Sequence, residues 1–444
     1  MIANRRNRLV ALTAVAGLAL VGGCGADEKE TLDPNSAECA PYTAYQGHDG
    51  ETVSIYGSIR DAEQDSLNEA WDMFSQCTGI EIEYEGSGEF EAQLQVRVDG
   101  GNAPDLAFLP QPGLLETLVE AGKVKEAPAE VKTLAEQNWT KDWLGYGTVD
   151  GTFYAAPLGS NVKSFVWYSP GFFEEKGYKV PTTWDEMTAL SDTIADSGIK
   201  PWCAGIESGD ATGWPATDWI EDVLLRTADT DTYDKWVSHG IPFNDPKIVE
   251  AVDKAGSILK NDKYVNGGFG DVKSIASTAF QEGGQPILEA KCAMHRQASF
   301  YAAQWPDGTN VGPDGDVFAF YFPAIDASQG KPVLVGGELT AAFNDRGEVK
   351  AVQQYLASAD FANSRAKLGS WVSANKGLKV ENVPSPIDKL SVETLQDENA
   401  VIRFDGSDLM PAKVGAGTFW RGMTDWITGK DTQGTLDYIE DSWK

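Results

Sequence analysis

The chain has 444 residues, with 67 acidic against 36 basic side chains and a net charge of −31. A surface this acidic repels nucleic acid and anionic lipid, which excludes both as partners held by charge. The length exceeds what one hydrophobic core supports and predicts two large lobes.

At the start of the chain, Arg5, Arg6 and Arg8 precede an uncharged apolar run over 9–21, followed by Gly22, Gly23 and Cys24. This has the form of a secretory signal. Its ending resembles a bacterial lipobox, in which the cysteine is acylated and becomes the mature N-terminus. The run falls short of the roughly 20 residues that span a bilayer. Residues 1–23 are therefore expected to be removed as a signal peptide. The exported protein is expected to be held through lipid on Cys24 to the outer face of the bacterial cytoplasmic membrane. Residues 24–50 are polar, contain Pro34 and Pro41 and lack periodicity, which predicts a flexible tether.

Order is predicted from residue 52. Alternation over 52–57 and 80–84 predicts strands. Leu67, Ala70, Trp71 and Phe74 have helical spacing, and Ala92, Leu94, Val96 and Val98 read as a helical or mixed segment. The apolar run over 106–109, bounded by Pro104 and Pro110, fits a buried parallel strand. Leu114, Leu115, Leu118 and Val119 predict a helix stopped at Gly122. A strand follows at 165–168, then a helix capped by Thr183 with Glu186 completing a capping box. Helices are predicted at 220–225, 248–259 and 349–359, with a strand at 333–335 before Gly336 and Gly337. Alternating strands and helices predict an α/β fold with mainly parallel sheet.

With Cys24 set aside, Cys39, Cys77, Cys203 and Cys292 are an even number in an oxidising compartment. Three connectivities are open to four cysteines. Cys39–Cys77, stapling the tail to the first lobe, and Cys203–Cys292, joining two segments of one lobe, are favoured. A metal site is the rival reading, against which stand the lack of C-x-x-C and of ligand spacing among three histidines.

The chain has 14 tryptophans. Trp214, Trp371 and Trp420 lie among Gly, Ser, Thr or Pro, which predicts loops. Loop aromatics can stack on the apolar face of a sugar ring while nearby polar groups take its hydroxyls. The competing reading is that each ring plugs the core. No G-x-S-x-G, H-E-x-x-H or Walker A motif occurs. Two carboxylates flanking a glycosidic bond would make a hydrolase, and 67 acids leave that alternative open: a secreted glycoside hydrolase acting on α-glucosides.

A family resemblance rests on several stretches together. Thr78-Gly79-Ile80, Tyr84-Glu85-Gly86-Ser87, Gly100-Gly101-Asn102-Ala103-Pro104-Asp105 and Gln111-Pro112-Gly113 resemble the extracellular solute-binding proteins of carbohydrate ABC importers, within them the α-glucoside-binding branch. Pro181-Thr182-Thr183-Trp184-Asp185-Glu186, Gly213-Trp214-Pro215, Gly336-Gly337-Glu338 and Gly417-Thr418-Phe419-Trp420 also match. The resemblance implies a two-lobed periplasmic-binding-protein-like type II fold with an interlobe ligand cleft and a hinge. One lobe would be 52–160 plus 333–375, the other 161–332 plus 376–444. It implies a monomer without cofactor that captures a sugar and delivers it to the membrane permease subunits.

Carried over residue by residue, the resemblance makes Glu63 an acceptor of sugar hydroxyls, Gln111 a polar contact after a strand, and Asn161 and Lys163 polar contacts at the lobe crossing. Trp214 becomes a wall of the second lobe, and Gln297 with Phe300 a polar and aromatic pair. Glu338 stands where many relatives carry an aromatic, and Trp371 and Trp420 are the remaining stacking surfaces. Outside the resemblance, Glu63 also reads as a helix-start carboxylate and Lys163 as a surface charge.

Overall fold

The computed structural model describes residues 32–268 and 270–444. The expected signal and the Cys24 acylation site lie outside the described residues. None of the described helices is long and apolar enough to cross a membrane.

Three short segments build the centre of the first sheet. Thr52–Gly57 pairs in parallel with Glu81–Gly86 on one side and Leu106–Leu109 on the other. Leu339–Ala342 then pairs antiparallel with Leu106–Leu109, and Ala155–Pro157 antiparallel with Leu339–Ala342. Period-two alternation sends Val53, Ile55, Leu106 and Phe108 into a core with Leu67, Phe74 and Tyr355. It sends Tyr56, Ala107 and Leu109 into a core with Phe90, Leu94 and Leu115. Both faces are buried, as the continuous apolar run at 106–109 requires.

The second sheet runs Val265–Asn266, Lys200–Cys203, Cys292–Arg296, Phe165–Tyr168, Phe318–Tyr321. Phe165–Tyr168 is antiparallel to both its neighbours. Helix Trp184–Asp196 opens with the expected capping box: Thr183 accepts from the Glu186 amide, and Glu186 accepts from the Thr183 amide. Helix Trp214–Thr227 is buried from Pro215 to Arg226, polar residues included.

A third sheet joins the two. Lys331–Gly336 pairs in parallel with Ala400–Phe404 and antiparallel with Asn161–Val162. The chain leaves Ala155–Pro157 in the first sheet and enters Asn161–Val162 three residues later. It also leaves Lys331–Gly336 and enters Leu339–Ala342 of the first sheet after only Gly337 and Glu338. An isolated bridge between Ser160 and Val372 lies beside these crossings. The expected division at residue 333 falls inside Lys331–Gly336, so that strand reaches the first sheet only past its end.

Both expected disulfides form. Cys39–Cys77 has a Cα–Cα distance of 5.2 Å, and Cys203–Cys292, linking adjacent strands, 5.5 Å. Much of the expected tether is folded. Ala40–Tyr45 forms a 3-10 helix, and Tyr42 and Tyr45 lie edge-on or tilted against Phe74 and Tyr355. The disulfide and this aromatic contact override the polar composition that predicts a free segment. Of the three expected loop tryptophans, only Trp371 lies outside a helix. Trp214 and Trp420 are the first residues of helices Trp214–Thr227 and Trp420–Thr428.

Candidate functional site

The parallel strands of the first sheet end at one edge, and the segments after them turn into helices whose N-termini face a cavity of about 180 Å³. Ser58 and Arg60 follow Thr52–Gly57, and Glu63 sits in the first turn of helix Asp61–Ala70. Gln111 immediately precedes helix Pro112–Glu120, and Glu91 lies in the first turn of Phe90–Asp99. Ligands of open α/β sheets sit at such strand ends, and helix N-termini favour acceptors and negative charge. The crossings bring Ser160, Asn161 and Glu338 to the same cavity, and the second lobe adds Trp214, Phe300 and Trp420.

Nine of the ten expected ligand residues therefore line one space: Glu63, Gln111, Asn161, Lys163, Trp214, Phe300, Glu338, Trp371 and Trp420. Gln297 does not. It is fully buried, its amide oxygen accepts from the Ala298 amide at 2.8 Å, and its carbonyl accepts from Trp167 Nε1. Strand Cys292–Arg296 ends just before it, and the turn Ser299–Gln304 carries Phe300 into the cavity instead.

Three rings form the aromatic wall of the second lobe. Trp214 lies 5.1 Å from Phe280 and 6.0 Å from Phe300. Gly213, just before it, has φ +115°, and a Cβ there would come within 2.1 Å of the Trp420 carbonyl oxygen. Only glycine permits that backbone conformation and that approach. Trp420 is almost wholly buried and donates from Nε1 to Ser407 Oγ at 3.2 Å. On the other wall, Gly159 leaves room for Trp371 Nε1 and Glu338 Oε2, which would lie 2.6 and 2.8 Å from a Cβ.

Lys163 is a buried ion-pair residue, not a surface charge. Its ammonium lies 3.1 Å from Asp218 and 2.5 Å from Asp405, beneath the Trp214 ring. Burial works against Asp405, yet Lys163 and hydrogen bonds hold it down to about 2. Asp408 is pushed well up, by burial and then by the Asp405 charge. Burial raises Glu63 to about 8, with Arg365 opposing and Glu338 adding to the rise. Glu338 and Glu91 are also raised by burial.

The polar lining is rich in acceptors. Gln111 donates from Nε2 to Glu91 at 3.0 Å, which leaves its buried Oε1 unpartnered among the described residues. Ser160 Oγ and Asn161 Oδ1 are likewise buried without a partner. Such atoms are costly unless a partner arrives. The described residues hold no cluster of three or more metal-ligating side chains. Rings on both walls, carboxyls and unpartnered amides together suit a compact, polyhydroxylated molecule.

Sequence reasoning missed Arg60, Glu91, Phe280, Arg365, Asp405 and Asp408. Only Asp405-Gly406-Ser407-Asp408 carried a local sign: Asp405 caps helix Gly406–Leu409 and accepts from Asp408 N.

Residues 56–366 match the family model described as bacterial extracellular solute-binding protein. The osmoprotective compounds-binding protein of Synechocystis sp. is 42% identical over 402 residues, covering 89% of this chain and 93% of that protein. The alpha-glucosides-binding periplasmic protein of Rhizobium meliloti is 38% identical over 412 residues, covering 90% and 88%. Among solved structures, a bacterial solute receptor described by its preference for β-D-galactopyranose superposes with a TM-score of 0.74. It is 19% identical and covers 89% of this chain and 98% of its own. A maltose-bound protein of T. maritima superposes at 0.67 with 17% identity, covering 88% and 98%. The shared architecture is the two-lobed periplasmic-binding-protein fold.

Proposed function

Because the chain belongs to the family of bacterial extracellular solute-binding proteins, we propose that it captures a sugar, an α-glucoside di- or short oligosaccharide, and delivers it to the permease of an ABC importer. The observation that carries this reading is the interlobe cavity, with stacking rings on both walls and buried acceptors lacking partners among the described residues. About 180 Å³ is room for roughly a dozen water-sized groups, the scale of one pyranose unit. The α-glucoside assignment draws on the relative named for those sugars. Closure by hinge bending would seat the sugar against both lobes and present the complex to the permease. In this reading the protein works as a monomer without cofactor, lipid-anchored through Cys24 on the outer face of the membrane.

The test is thermal unfolding against maltose, trehalose, sucrose, longer α-glucans, lactose and xylo-oligosaccharides, with product analysis of each mixture. A ligand at one hundred times its Kd adds about 2.7 kcal/mol, so an α-glucoside should raise the midpoint by degrees with no sugar cleaved. A midpoint that moves only with lactose or xylo-oligosaccharides would remove the α-glucoside assignment. Cleavage of an α-glucoside would establish the hydrolase alternative.

A further inference from the structure

Arg365 differs from the other cations buried near the cleft. Lys163, Arg226 and Arg296 each have a carboxylate oxygen within 3.1 Å. Arg365 is only 1% exposed, yet among the described residues no carboxylate oxygen lies within 4.0 Å of it. Among the described residues its guanidinium makes one hydrogen bond, from Nη1 to the Gly369 carbonyl at 2.9 Å. A guanidinium has five N–H donors and keeps its charge at any ordinary pH, so most of the fork is unused while the residue lines the cavity. Glu63, Glu338 and Asp388 are near enough to act on it through their charge but too far to bond. The Trp371 ring stands 5.7 Å from the guanidinium.

A buried charge with so few partners is unfavourable unless something completes it. The gap is bounded by an Arg fork, two carboxyls and an aromatic face. An anion would suit the fork but would sit against Glu63 and Glu338. A pair of neighbouring hydroxyls suits all of it, because each hydroxyl accepts and donates at once.

We propose that Arg365 is a specificity-determining residue that recognises a vicinal pair of hydroxyls on one pyranose ring. The pair accepts from the guanidinium fork and donates to Glu63 and Glu338, with the ring lying on Trp371. This rests on the reading of the protein as a sugar binder. Lysine, a point charge without the fork, does not substitute.

The experiment is calorimetric titration of the wild type and Arg365→Lys with whichever of maltose, trehalose and sucrose binds best, and with its 2-, 3- and 4-deoxy analogues on the glucose ring. Arg365→Lys should weaken the parent sugar by about 10- to 100-fold, the scale of a hydrogen bond to a charged group. In the wild type, two adjacent deoxy positions should each cost about tenfold or more. In the variant those two penalties should shrink to within about threefold, a coupling that a purely structural Arg365 would not produce. If the variant does not fold, the wild-type deoxy series decides alone. Unchanged binding by Arg365→Lys, equal deoxy penalties in both proteins, or no adjacent pair in the wild-type series would each overturn the inference. A wild type that binds none of the three sugars would bring down the α-glucoside reading and this inference with it.

Discussion

Lys163 lies in the floor of the cleft with its charge shared between Asp218 and Asp405, and Asp408 stands 3.8 Å away. Replacing one member of a buried ionic group leaves its partners uncompensated, at a cost of about 3–5 kcal/mol. Lys163→Met should lower the urea-unfolding free energy at pH 7 by that amount. The sign of its pH dependence follows from the partners. Burial already raises Asp218 to about 7 against the pull of Lys163 and Arg296; without the ammonium Asp218 would rise further and Asp405 would rise above its unfolded value, so the variant loses stability as pH rises and regains it toward pH 5. A variant equally destabilised at both pH values would show that the loss is one of packing alone. Glu63 illustrates the same physics in the opposite setting. Burial raises it to about 8, Arg365 opposing and Glu338 adding to the rise, while its Oε2 accepts from Gln304 Nε2 at 3.5 Å.

Among the elements, the N-terminal segment departs most from its composition. Residues 33–50 contain few apolar side chains, yet the bond from Cys39 to Cys77 and the rings of Tyr42 and Tyr45 hold them against the first lobe. The crosslink spans a sequence separation of 38 residues, and a native disulfide of this kind stabilises by about 2–4 kcal/mol, chiefly by restricting the unfolded chain. The double substitution Cys39→Ser with Cys77→Ser should cost that much in urea unfolding. It should also speed amide exchange over 33–50 while leaving exchange in Leu106–Leu109 slow. If protection over 33–50 were unchanged, the aromatic contact alone would suffice to hold the segment. The strands confirm their periodicity closely: 52–57 and 106–109 form as expected, and 80–84 becomes Glu81–Gly86, starting one residue later and ending two later.

At the scale of the molecule, the two lobes meet at an acidic rim. A Cβ on Gly209 would lie 3.0 Å from Glu89 Oε1 and 3.0 Å from the Gly88 carbonyl, so the loop around 207–210 abuts the start of helix Phe90–Asp99. A shared hydrogen bond with Asp210 raises Glu89; the charges of Asp210 and Glu207 add to the rise, and Arg60 opposes it. A raised carboxyl binds its proton more readily in this arrangement than when the lobes part. On the proposed closure mechanism, the closed form therefore gains as pH falls through the Glu89 range and loses as pH rises above it. Sugar affinity should be higher at pH 5 than at pH 8. The cavity carboxyls Glu63, Glu338 and Asp408 add their own pH dependence, so the rim is isolated by difference: Asp210→Asn should flatten the profile, measured by calorimetry at both pH values. An identical profile in the variant would show that the rim plays no part in closure.

Much of this protein can be read from short-range pattern. Strand alternation, helical spacing and the capping box at Thr183 and Glu186 depend on neighbours a few residues apart, and so survive in the bare sequence. The cysteine count narrowed the pairing to three arrangements, and two of the four residues had to meet across adjacent strands for the favoured one to form. Nine of the ten residues expected to touch ligand line one cavity. Gln297 is buried outside that cavity because burial depends on where a strand stops, which no motif states. Arg365 and Glu91 carried no local sign as cavity residues. They converge because the chain crosses between sheets at 158–160 and again at Gly337 and Glu338, bringing together side chains hundreds of residues apart. Periodicity reports which face of an element is apolar. Which polar groups end up desolvated in one space, and hence which are raised, paired or left without a partner, follows from how those faces pack against each other.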